Sequence, residues 1–146
     1  MLAYFAKHNE QEALPLVEQA LSELEIEQGN WLLDALTKLT FSTGIDSILK
    51  QRLELDEPAA ASHAAYLISK YGPASDEKVL LARLERWSKE WRDRAAEADM
   101  NLQGTVEREL MLGLISAKSW KLSEERVAEL RRSCVSKYCR ESVQRR

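Results

Sequence analysis

Turn-forming residues are scarce in this chain: five Gly and three Pro among 146 residues. Backbone chemistry therefore imposes few bends, which favours long helices over many short strands. No stretch of any length alternates apolar and polar residues with period two, so strands have no signal. No run of about 18 apolar residues exists, which excludes a membrane-spanning helix. The start, MLAYFAKHNEQEALP, lacks the basic-then-apolar pattern of a secretory leader, and a cytoplasmic protein is expected. A structural metal takes roughly four ligands, and the Cys134/Cys139 pair has no second Cys pair or nearby His to complete a set, His8 and His63 being isolated, so no metal or cofactor is expected. A Ser or Cys nucleophile pattern, a glycine-rich phosphate loop and an HExxH are all missing, leaving no enzyme signature and no catalytic residue to name.

What is present is helix-forming: Leu, Ala, Glu, Lys and Arg dominate. With 45% hydrophobic and 31% charged residues, the composition is that of a folded chain, and the length suits one domain spanning residues 1–146. A net charge of −3 gives no general attraction to nucleic acid or to a membrane surface. The charge is uneven, however. Between Lys7 and Lys38 lie seven acids (Glu10, Glu12, Glu18, Glu23, Glu25, Glu27, Asp34) and no base. The last sixteen residues hold six bases (Arg131, Arg132, Lys137, Arg140, Arg145, Arg146) against the single acid Glu141. Solvated helix faces account for both runs.

Apolar residues recur at helical spacing along the whole chain. Ala13, Val17, Ala20 and Leu24 form a first stripe, with Pro15 tolerable in a first turn. Gln28-Gly29-Asn30 reads as a break. Trp31, Ala35 and Leu39 with Leu32 and Leu36 form the next stripe, ended by Ser42-Thr43-Gly44. Ile45, Ile48, Leu49 and Leu53 mark a third helix that stops at Asp56-Glu57-Pro58. PAAASHAAYLISKY, residues 58 to 71, is apolar nearly all round, as expected of a helix sandwiched between neighbours. Gly72-Pro73 stops it, and Ser75 or Asp76 can cap the next helix, whose stripe runs Leu80, Leu84, Trp87, Trp91, Ala95 and Ala98. Residues 99 to 104 read as the longest loop. Val106 to Ala117 and a capped start at Ser123 give the last two helices, and a helical stub precedes them all at the N-terminus. The expected core is Trp31, Leu36, Leu67, Leu84, Trp87, Trp91, Leu110 and Leu114.

Four helix–turn–helix joints can be superposed, centred near residues 9, 43, 73 and 121, at spacings of 34, 30 and 48. Each has a small-and-apolar helix end, a polar turn, and an acid or amide before a new apolar helix. Gly72-Pro73, Asp76 in the turn and Val79 three positions later are the clearest copy; Asp46 with Ile48 and Ser123 with Val127 are looser ones. This pattern resembles HEAT repeats, antiparallel helix pairs that stack into an α-solenoid. The resemblance covers almost the whole chain and implies an all-α fold of stacked antiparallel helix pairs; an irregular helical bundle is the alternative. Residues 1 to 7 supply barely two turns of a first helix, which fits either a fragment of a longer solenoid or a short leading helix of a small protein.

The resemblance implies a non-catalytic scaffold that binds a protein partner or the rest of a longer chain. HEAT-like proteins that bind DNA and repair alkylated bases supply a second reading. It would rest on Arg83, Arg86, Trp87, Trp91 and Arg94, aromatics to stack bases and cations to hold phosphates. Trp87 and Trp91 share the stripe of Leu80 and Leu84, which makes them core residues, and nucleic acid is accordingly a minor expectation. HEAT-like lyases acting on tetrapyrrole-bearing proteins are a third analogy, at the level of fold alone. Cys134 and Cys139 on one continuous helix would point about 140° apart, predicting two free thiols. A helix ending near Lys137 would let them bridge.

Overall fold

The computed structural model describes residues 10–144, and among them the regular structure is helical throughout. The α-helices are α1 (Glu10–Glu23), α2 (Ile26–Leu39), α3 (Thr43–Leu53), α4 (Pro58–Tyr71), α5 (Glu77–Trp91), α6 (Ala95–Met100), α7 (Gln103–Ser116), α8 (Glu124–Arg132) and α9 (Lys137–Val143). Single 3₁₀ turns, Ala74–Asp76 and Arg92–Arg94, lead into α5 and α6. The reading of residues 1 to 7 as half a repeat lies outside the described residues.

Local chemistry explains most boundaries. Ser42, Ser123 and Ser136 each accept a hydrogen bond from the backbone N–H three residues on, capping α3, α8 and α9. Pro58 opens α4, with Glu57 accepting from the Ala59 N–H. Glycine closes α4: the Gly72 N–H donates to the Ile68 carbonyl, and a Cβ there would lie 2.7 Å from Asp76 Oδ2.

The helices form two layers. In one, α2 packs on α4, α4 on α7, and α7 on α9. Along α2 and α4 the contacts ascend together, Asn30 meeting Ala59 and Asp34 meeting His63, so these two helices are parallel. Helix α4 meets α7 at Ser69 and Gly113, and Gly104 of α7 meets Ser136 at the start of α9. In the other layer α1 packs on α3, α5 reaches the C-terminal end of α3 through Arg83 and Arg86, and α8 flanks α5 across Leu84 and Leu130. The core between the layers holds Leu36, Leu67, Leu84, Trp87, Trp91, Leu110 and Leu114, as the stripes predict.

Helix α4 can run between α2, α3 and α7 because Ala60, Ala61, Ala64 and Ala65 are its buried side chains alongside Leu67 and Ile68. The crossing with α7 is closest at Gly113, where a Cβ would sit 2.8 Å from Ser69 Cβ. Gly113→Val is expected to destabilise the fold by about 1–3 kcal/mol through overpacking, with partial rescue by Ser69→Gly. Equal urea midpoints for the parent and Gly113→Val chains would show that the crossing is looser than described.

Five expectations need correction. Gln28-Gly29-Asn30 is no break but lies inside α2, which starts at Ile26 after Glu25. With Gly29, Leu33, Leu36 and Thr37 facing inward, Trp31 falls about 200° away from Gly29 and is 67% exposed, so it is not core. Pro15 lies well inside α1, on its solvent face, where water can satisfy the carbonyl it leaves free. Asp76 occupies the N-cap position of α5 without capping it; its carboxylate turns to Lys50 instead. The 99–104 loop is a two-residue turn, with Leu102 left-handed at φ 66° and Gly104 inside α7 against Tyr138.

The expectation of two free thiols is corrected as well: Cys134 and Cys139 are disulfide-bonded, with Cα atoms 5.6 Å apart. Helix α8 stops at Arg132 and α9 starts at Lys137, so no continuous helix separates the sulfurs.

Candidate functional site

The outer side of the α2–α4–α7 layer carries two adjoining clefts. Asn30, Ala59, Ser62, His63 and Arg108 frame a cavity of about 330 Å³. Ser69, Lys70, Tyr71, Leu112, Ser116 and Lys118 frame one of about 550 Å³. Tyr66 and Glu109 belong to both, so the clefts form one groove along α4. Its floor is made of small residues because α4 and α7 approach closely at Ser69 and Gly113. The polar positions of the otherwise apolar α4, Ser62, Tyr66, Ser69 and Lys70, recur at helical spacing and share this face.

Charge along the groove is mostly neutralised in place. Asp34 accepts from Lys38 Nζ at 2.8 Å and lies 3.6 Å from His63 Nε2. The Lys38 contact holds the Asp34 carboxyl below the usual carboxylate range. Burial pushes His63 below its ordinary value against the pull of Asp34. Arg108 and Glu109 pair at 3.3 Å. The Lys70 ammonium donates to the Tyr66 hydroxyl at 3.2 Å and lies over the Tyr66 and Tyr71 rings at 5.5 and 5.4 Å. That hydroxyl is the main reason Lys70 holds its proton more tightly than usual.

The Ser62 and Ser69 hydroxyls donate to the Ala59 and Tyr66 carbonyls of their own helix, so neither is aimed at a base. Among the described residues no group of three or more His, Cys, Asp or Glu could hold a metal ion. The groove presents aromatic rings with hydroxyls, an imidazole, and lysines over a floor of small side chains.

The five residues named for nucleic acid do other work. Trp87 is fully buried and its Nε1–H donates to the Gln103 carbonyl at 2.9 Å. Trp91 is buried too, with the Arg94 guanidinium stacked 4.3 Å from its ring centroid. Arg83, 4% exposed, donates from Nε to the Leu53 carbonyl at 2.8 Å, and Arg86 donates to the Glu54 carbonyl at 3.2 Å while pairing with the Glu54 carboxylate at 2.9 Å. Gln103 Nε2–H donates to the Asp56 carbonyl at 2.8 Å. Three side chains from α5 and α7 thus satisfy the carbonyls at and beyond the end of α3, which its helix leaves unpaired. The five are not assembled into a solvent-facing strip, and neither indole presents a free face to a base.

A second polar cluster locks the joint between α3, α4 and α5. Lys50 Nζ lies 2.8 Å from Asp46 Oδ2 and 3.1 Å from Asp76 Oδ1. Both carboxylates are buried, Asp76 with only 1% of its surface exposed. Burial, and next the hydrogen bond shared with Asp46, push the Asp76 carboxyl up to about 6 against the pull of Lys50. The cluster is closed to solvent on the carboxylate side and reaches water through Lys50.

Searching known proteins adds no relative: no family model, no curated protein and no solved structure matches this chain. No helix among the described residues is long and apolar enough to cross a membrane.

Proposed function

We propose that this chain is a non-catalytic, HEAT-like helical-repeat module that binds a protein partner, or a further part of a longer chain, along the α2–α4–α7 groove. The single observation that carries the reading is the groove itself: two clefts joined at Tyr66 and Glu109, in which the hydroxyls and charges are placed for contact and not for catalysis. The parallel contact of α2 with α4, with α3 between them in the chain, supports the repeat reading, because stacked helix pairs bring every second helix into parallel contact. Exposed Tyr66 fits a contact residue, as tyrosine is enriched at interfaces. A cytoplasmic setting belongs to the same proposal.

Immobilised parent chain and the Tyr66→Ala/Lys70→Glu double variant, both first verified as folded by circular dichroism, should differ in what they retain from native lysate. At least one protein is expected on the parent and absent from the variant, with the pure pair binding at least tenfold more weakly when the variant is used. Identical retention by both chains would remove the groove from the proposal.

A further inference from the structure

Two independent features meet where α8 turns into α9. The Cys134–Cys139 bond closes a short ring of backbone around residues 135 to 138. Inside that ring the backbone donors converge on acids of other helices. The Val135 N–H donates to both oxygens of Glu107, at 2.9 and 3.1 Å, and the Ser136 N–H and Oγ–H each donate to Glu107 Oε1 at 2.8 Å. The next N–H, of Lys137, donates to Asp99 Oδ1 at 2.8 Å. Glu107 is fully buried in α7, and the cation that acts on it is Arg140 of α9, whose guanidinium donates to the Val135 carbonyl. The hydrogen bonds that anchor the start of α9 to α6 and α7 therefore originate inside the bridged ring.

We propose that this corner is a redox-gated latch, in which the bridged ring clasps the Glu107 carboxylate and holds α9 on α7, and reduction to two thiols lets α9 leave. Three successive N–H groups turned toward acids make an anion-binding concavity. The cross-link restricts the open conformations that the segment would otherwise regain. Once the bridge is broken, the ring can spread, and a carboxylate without its oriented donors gains more from water than from the protein. Departure of α9 would also uncover the apolar contact made by Cys139 and Val143, both buried in the latched form.

The reductant required is a dithiol. Its thiolate attacks Sγ of half-buried Cys134, since Cys139 is enclosed. The S–S bond breaks, and Cys139 leaves as a thiolate that takes up a proton. The second thiol of the reductant then displaces Cys134 from the mixed disulfide. The protein ends with two thiols and the reductant, two electrons poorer, with a disulfide.

Hydrogen exchange read by mass spectrometry tests the latch on the full chain, with and without dithiothreitol. Amides of residues 135 to 143 are expected to exchange at least tenfold faster after reduction, while residues 43 to 71 keep their protection. Iodoacetamide should label both cysteines only in the reduced chain. The Cys134→Ser/Cys139→Ser variant in oxidising buffer should reproduce the reduced pattern, and Glu107→Gln should loosen the same residues with the bridge intact. Unchanged exchange on reduction, loss of protection across the whole chain, labelling without reductant, or a serine variant as protected as the bridged chain would each overturn the proposal.

Discussion

Replacing Lys50 with Met is expected to destabilise the fold by about 2–4 kcal/mol at pH 7, and by clearly less at pH 5. The ammonium stands between Asp46 and Asp76, at 2.8 and 3.1 Å. Removing it leaves two buried carboxylates with no cation, the costly way to break an ion pair. The magnitude is set below that of a fully enclosed pair because Lys50 is itself 39% exposed, and water reaches the ammonium. Protons can substitute for the missing cation, which is why mild acid should restore stability.

The sign follows from Asp76. Its folded value, about 6, lies above the ordinary 3.8, so the folded state binds this proton more tightly than the unfolded chain does. Its contribution is fully present below the ordinary value and is lost as pH rises through about 6. Asp76→Asn should therefore flatten that part of the pH dependence. Urea unfolding at pH 5, 6 and 7 measures all three chains. A Lys50→Met cost below about 0.5 kcal/mol, or one that does not change with pH, would show that the cluster is not an electrostatic lock.

Glu107→Ala is expected to cost about 3–5 kcal/mol, since it leaves buried donors without an acceptor and opens a cavity. The Val135 and Ser136 N–H groups and the Ser136 hydroxyl all end on this carboxylate. Neighbouring backbone cannot replace it, because the ring that carries these donors is pinned at Cys134 and Cys139. Glu107→Gln should fall between parent and Ala: it keeps one acceptor oxygen but turns an NH₂ toward groups that also donate. Burial raises the Glu107 carboxyl above its ordinary 4.5, and the Ser136 and Val135 hydrogen bonds work against that rise. Its contribution is accordingly present below 4.5 and declines as pH climbs through the raised value. Thermal or urea unfolding of the three chains ranks them; a parent-like Ala variant would mean the carboxylate is dispensable to the corner.

Periodicity located the helices and most of the core because burial repeats at the helix period whatever the neighbours are. Leu84, Trp87 and Trp91 could be placed inside from spacing alone, and Ser42, Ser123 and Gly72 mark boundaries through local hydrogen bonding. Gly29 could not be read in this way. Local preference makes it a helix breaker, yet it sits buried inside α2, where a Cβ would lie 3.2 Å from Leu21 Cδ2 and 3.4 Å from the Arg52 guanidinium. That register in turn exposes Trp31. The roles of Arg83 and Arg86 were equally hidden, since the carbonyls they satisfy lie 30 and 32 residues away.

The groove had one legible trace, the shared polar face of Ser62, Tyr66, Ser69 and Lys70 on an apolar helix. Asn30 and Arg108, which complete it, come from α2 and α7. The sequence by itself determined the all-helical class, the positions of the main apolar stripes and the lack of catalytic motifs, because these depend on spacing and residue type within one or two turns. Only the tertiary structure decided which lysine meets Asp46 and Asp76, whether two cysteines face each other, and which polar faces combine into a groove. The Lys50–Asp76 contact and the groove depend on distances between segments far apart in the chain, while the cysteines, five residues apart, face each other because α8 ends at Arg132 and α9 begins only at Lys137.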